Sequence, residues 1–280
     1  MTSKIELAPN TVLAILAERA GASACLDAAG IAASALDHPT IVGLHVRVDP
    51  IRDILPTEEI LLPAQERAME IEAIEEGRAL RNIFSAWVAG VDSKVETTWL
   101  DITDGVDDEI EALGRQAALN VMANLTSSSR GHARAAFHAG LFKTHKPFLV
   151  VPHDYVPRKL SRILIGWKDT PPGRRVLDAA LPWLRLADAV RLICIGRPEP
   201  LELMWAREHL ADHDIVVEVA HVDRREGMSV GAQLLDEARQ SGVDWLVTGA
   251  YWHNEYAEWI LGGVTEALLG QATLPLFMSH

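Results

Sequence analysis

Only two of the 280 residues are cysteine, Cys25 and Cys194, and each stands inside an apolar run. That excludes a disulfide framework; both thiols read as small buried hydrophobes of a reducing compartment. Long hydrophobic runs are also missing. The longest uncharged tail, 267–280, is interrupted by Gly270, Gln271 and Pro275, and nothing approaches the ~18 apolar residues that a membrane span needs. Near the N-terminus the apolar run 11–17 is closed by Glu18 and Arg19, too short and too charged for a signal peptide, so the expected location is cytoplasmic. Positive charge is scarce: 26 basic residues face 39 acidic ones, for a net charge of −13. Such a field repels bulk nucleic acid and anionic membranes, and neither is expected as a partner.

What is present is core material. Hydrophobic residues make up 49% of the chain, which excludes global disorder and low complexity. The length suits two domains of ordinary size better than one large one. In the second half, short β-rich runs at 162–167, 190–195, 215–222, 245–249 and 274–278 alternate with helical periodicity at 173–186, 201–210, 230–240 and 259–269. The first half repeats the order, with strands expected at 11–17, 41–48, 95–102, 119–124 and 148–152, and helices at 22–36, 63–89, 107–116 and 134–142. Short echoes support the repeat: Leu26, Asp27, Ala28 and Ala29 against Leu177, Asp178, Ala179 and Ala180, and Pro147, Phe148, Leu149 and Val150 against Pro275, Leu276, Phe277 and Met278. Strands alternating with helices require a mostly parallel sheet covered on both faces. The expectation is an α/β protein of two tandem doubly wound domains, 1–154 and 155–280, with a linker at 153–159 and a five-stranded parallel sheet in each.

The long helix at 63–89 carries one apolar stripe of Met69, Ala73, Leu80, Phe84 and Trp87, with Glu66, Glu70, Glu72, Glu75 and Glu76 around it. It reads as a helix laid on the sheet with its glutamates in water.

In open parallel sheets ligands bind beyond the carboxyl ends of the strands. Those loops hold Lys168, Asp169 and Thr170 after the first strand of the second half, Gly196 and Arg197 after its second, and Gly249 to His253 after its fourth. Gly262, Gly263 and Thr265 follow where a helix begins, and glycines there let backbone amides approach a phosphate. Neither Gly-x-Gly-x-x-Gly nor the Walker pattern occurs, which argues against a dinucleotide fingerprint and a P-loop. The second half, with 13 basic and 17 acidic residues against 13 and 22 before Tyr155, is the easier host for an anion.

The stretches RILIGWKDTPPGRRVLDAALPWL (162–184) and VDWLVTGAYWHNEYAEWILGGVTEALLGQATLPLFMSH (243–280) resemble the universal stress proteins, specifically the proteobacterial form with two such domains in one chain; FHAGLFKTHKPFLVVP (137–152) extends the likeness to the first half. The resemblance implies a regulatory or protective module of the stress response, with its two domains paired as separate subunits are in single-domain members. Nucleotide-binding members of that family use Gly-x2-Gly-x9-Gly-[Ser/Thr] around the phosphates and ribose of ATP. Gly249 and Gly262 match it, whereas Trp252 replaces the second glycine and Gly263 the final hydroxyl, with Thr265 two residues on. In the first half, 125–134 keeps no such spacing. An adenine nucleotide, ATP or another, is therefore expected in the second half if anywhere, with Lys168, Asp169, Thr170, Gly249, His253, Gly262, Gly263 and Thr265 as ligand-binding residues.

Plainer roles stand beside these. Lys168 also reads as an exposed loop cation, and the two adjacent glycines as devices for close backbone approach. His209 and His213 have metal-ligand spacing without a third ligand, and a solvated helix end explains them better; no metal is expected. His253 has no catalytic partner in the sequence, and no catalytic residue is assigned. A slow nucleotide hydrolase and a purely structural interaction protein with a vestigial ligand edge remain the alternatives.

Overall fold

A computed structural model describes residues 5–47, 63–196, 200–250 and 263–280. Its contacts divide the chain into two compact units, Met1–Lys146 and Pro147–His280. Among the described residues no helix is long and apolar enough to cross a membrane.

The first unit runs β1 (Thr11–Ile15), α1 (Ala22–Ala33), β2 (Thr40–Arg47), α2 (Pro63–Val88), β3 (Glu96–Thr103), α3 (Val106–Gly114), β4 (Leu119–Ala123) and α4 (Gly131–His138), which continues into a π-helical turn, Ala139–Lys143. Its strands lie in the order β3-β2-β1-β4, all parallel. β1 is buried end to end and β4 over all but its last residue, as expected for continuous apolar runs covered on both faces. Six alanines make up most of the buried residues of α1, whose small side chains let it lie close to β1 and β4.

The second unit runs β5 (Phe148–Val151), β6 (Arg162–Gly166), α5 (Pro171–Leu186), β7 (Ala189–Ile195), α6 (Pro200–Ala211), β8 (Val217–Val222), α7 (Val230–Ser241), β9 (Trp245–Gly249), α8 (Gly263–Gln271) and β10 (Leu276–Ser279). Four of its strands repeat the order of the first unit, as β8-β7-β6-β9, and β10 and β5 follow beyond β9. The architecture is the α/β, mostly parallel one that the alternating periodicity predicts. One strand departs from the parallel pattern. β5 runs antiparallel to β10, with Phe148 opposite Met278, Leu149 opposite Phe277 and Val150 opposite Leu276. The two echoing segments of the sequence are thus partners, each read in reverse against the other. This pairing groups β5 with the second unit, which begins at Pro147.

Candidate functional site

The strand order reverses within each unit, at β1 and β4 and again at β6 and β9, and the crevice beyond such carboxyl ends is the expected ligand position. In the second unit β6 delivers Lys168, Asp169 and Thr170 to this edge. Thr170 is the N-cap of α5: its Oγ1 accepts the Gly173 N–H at 3.2 Å, and Pro171 and Pro172 fill the first helical positions, where no donor is needed. The turn is so tight that a Cβ on Gly173 would stand 2.2 Å from the Lys168 carbonyl oxygen. Lys168 itself is exposed. Asp169 accepts two bonds from Arg174, at 2.6 and 2.8 Å, which hold its carboxyl below the usual carboxylate range. The same guanidinium lies 4.3 Å from the ring centroid of Trp205, which stacks on Trp167 and on His209.

Gly249 reaches the start of α5, where a Cβ would stand 3.1 Å from the Gly173 nitrogen and 3.3 Å from the Pro172 Cβ. Gly263 opens α8 with nothing within 4 Å of where its Cβ would be, whereas Thr265, two residues on, is fully buried. α8 packs closely on α7, because Gly231 leaves room for the Val264 carbonyl and the Ala267 side chain. The structure therefore joins Gly249 to the turn that carries Lys168, Asp169 and Thr170, and it places Gly263 at a helix start and Thr265 in the interior. His253, Gly262, Trp252 and Arg197 lie outside the described residues. His209 is 2.7 Å from Asp178, and His213 donates from Nδ1 to the His209 carbonyl at 2.8 Å. Among the described residues no cluster of three or more His, Cys, Asp or Glu side chains is placed to hold a metal ion.

The first unit has a cavity of about 240 Å³ at its corresponding edge, which the sequence pattern does not reveal. β2 contributes His45, Val46 and Arg47, α2 contributes Met69, Glu72, Ala73 and Glu76, and the start of α4 contributes Arg130, Gly131 and His132. His45 is buried; its Nδ1 donates to the Leu16 carbonyl at 2.9 Å, and burial holds the imidazole below its ordinary pKa. His132 donates from Nε2 to the Ala17 carbonyl at 3.3 Å. Glu72 pairs with Arg130 at 2.5 Å, Glu76 with Arg19 at 2.7 Å and Arg47 with Asp101 at 2.8 Å. Two glutamates that read as a solvated helix face thus bridge to cations on other elements. The signal that could have found this edge is Arg130-Gly131-His132 after the fourth strand, a glycine at a helix start in the position that Gly263 holds in the second unit.

No protein-family model matches the sequence, and no curated protein does. Solved structures do. A universal stress protein from Archaeoglobus fulgidus DSM 4304 is similar over 97% of this chain and 96% of its own, with a TM-score of 0.67 at 14% identity. A functionally unknown protein from Pseudomonas aeruginosa PAO1 covers 96% of this chain and 92% of its own at a TM-score of 0.50 and 12% identity. A candidate universal stress protein from Pseudomonas aeruginosa UCBPP-PA14 gives 0.51 and 13% over the same shares. Over nearly its whole length, the chain has the fold of the universal stress proteins.

Proposed function

We propose that the chain is a regulatory or protective module of the universal stress protein type, with domains 1–154 and 155–280, and that it binds an adenine nucleotide at the β6/β9 edge of the second domain alone. The contrast between the two edges supports this reading. At the first, the lining arginines Arg130 and Arg47 are already engaged by Glu72 and Asp101. At the second, Lys168 is exposed and the carboxylate beside it, Asp169, is already neutralised by Arg174.

Titration of the full chain with ATP by calorimetry tests the reading, together with mass spectrometry of small molecules released by heat. One site per chain, weakened by Lys168→Ala and indifferent to Ser128→Ala, is the expected result. Two equivalent sites, or a site lost on changing the 126–129 loop, would put the nucleotide in the wrong half. A second reading, a structural module with a vestigial ligand edge, draws on Gly249 and Thr265: the glycine is required by packing against α5 and the threonine by the interior, so neither needs a ligand to account for it. Absence of any co-purifying or titrated nucleotide would favour that reading.

A further inference from the structure

We infer that the outer edge of β3 is a docking site for an extended basic peptide, taken up as an added strand with its cationic residues at both ends. β3 stands first in the strand order of its unit and among the described residues pairs only with β2, in a continuous register from Thr40 opposite Glu96 to Arg47 opposite Thr103. The Glu96 N–H donates to the Pro39 carbonyl at 3.3 Å, so Glu96 and every second residue after it turn their backbone groups toward β2. The amides and carbonyls of Thr97, Trp99, Asp101 and Thr103 therefore point away from the sheet, and no strand takes them up among the described residues. The edge has no proline, no lysine and no bulge, three of the usual devices that keep such a row of groups from pairing.

The charge along this edge is one-sided. From Asp92 to Glu109 seven acidic residues face one base, Lys94. Arg47 answers Asp101 at 2.8 Å and Lys143 answers Asp107 at 2.6 Å, but Asp92 and Glu96 near the start of the strand and Asp108 beyond its end make no ion pair among the described residues. The field that remains acts on Glu109, whose carboxyl is pushed up first by burial and then by Asp104 and Asp108. Between the two acidic ends the strand carries Trp99, Leu100 and Ile102, all half-buried, with Trp99 packed on Phe84 of α2 at 5.4 Å between ring centroids. A partner that fits is cationic at each end and β-branched between, with main-chain bonds supplying affinity and charge supplying choice. A second copy of the chain fits worse, since it would set its own acids against these. The other outer strand, β8, pairs over six residues against eight, and its one carboxylate, Glu218, is answered by Arg191 at 3.4 Å.

The test combines fluorescence anisotropy and amide hydrogen exchange on the full chain with a labelled, end-blocked peptide, Lys-Arg-Val-Thr-Val-Thr-Val-Arg-Lys. A second peptide has glutamate in place of the four basic residues, and a third has proline in place of the central valine. The basic peptide is expected to bind and the other two to be weaker by on the order of tenfold. Binding should slow exchange at Thr97, Trp99, Asp101 and Thr103 and leave the already paired Thr98, Leu100 and Ile102 unchanged. Thr97→Pro, which removes an outward donor and none of the bonds to β2, should weaken the basic peptide several-fold. Glu96→Lys, on an exposed side chain, should weaken the basic peptide and strengthen the glutamate one, an exchange of preference that a folding defect would not produce. Equal binding by the proline peptide, or binding without slowed exchange at the four outward amides, would reduce the contact to surface charge and overturn the added strand. Protection of those amides before any peptide is added would overturn it too, giving the edge to the chain itself if independent of protein concentration and to a second copy if it rises with concentration. Absence of binding by the basic peptide would overturn the inference outright.

Discussion

Gly249 and Gly173 approach so closely that a Cβ on the first would stand 3.1 Å from the backbone nitrogen of the second. The contact joins the carboxyl end of β9 to the first turn of α5, and both glycines are needed for it. Gly249→Ala should cost about 1–3 kcal/mol, the usual penalty for overpacking. Gly173→Ala should cost more, because its Cβ would stand 2.2 Å from the Lys168 carbonyl oxygen and the cap on Thr170 would be lost with it. Denaturant unfolding of the two variants checks the order; equal costs would show that the turn yields more readily than its geometry implies.

Gly263 behaves differently. With open space at its Cβ position, Gly263→Ser should leave stability unchanged or slightly raised, since glycine is a poor helix former. The same substitution restores the hydroxyl that the nucleotide motif has at this position. ATP affinity measured before and after should rise if the missing hydroxyl limits binding, and stay level if the site is vestigial.

Lys168→Ala should weaken ATP binding several-fold, in line with about 1 kcal/mol for a cation beside a phosphate at an exposed edge. The salt dependence should flatten at the same time. Titrations at two ionic strengths measure both, and an unchanged slope would remove Lys168 from the site.

His45 makes stability depend on pH. Burial depresses its pKa, with the Leu16 carbonyl, Asp101 and Glu76 opposing that shift and His132 adding to it. A depressed imidazole binds fewer protons in the folded chain than in the unfolded one. Its contribution is therefore intact above the ordinary histidine value of about 6.5 and declines as pH falls below it. His138 acts in the same direction, chiefly through burial and then through Lys143. Unfolding free energies should fall between neutral pH and mildly acidic pH, and His45→Asn, which keeps a donor for Leu16, should lessen the slope. A slope unaffected by the substitution would assign the effect elsewhere.

Much of this was legible in local sequence. β9 occupies 245–249, the residues its apolar run marks, and the alternation of strands with helices fixes the element order in both halves. What escaped depends on partners far along the chain. The helix expected from Arg134 begins at Gly131, because the backbone N–H of Arg130 is satisfied by Glu18, 112 residues earlier, rather than by a neighbouring Ser, Thr or Asp. Periodicity marks β5 as a strand but cannot say that it runs against β10. In the same way, nothing local distinguishes Glu72 and Glu76 from the other glutamates of α2; only the fold brings Arg130 and Arg19 to them.

Arg174 holds the Asp169 carboxylate and covers the Trp205 indole with one guanidinium. An anion that drew this group away from Asp169 would lift a positive charge from the face of a fluorophore in the same movement. The molecule thus contains an intrinsic optical gauge for one end of β6, readable as a change in tryptophan emission without a label and silenced by Trp205→Phe.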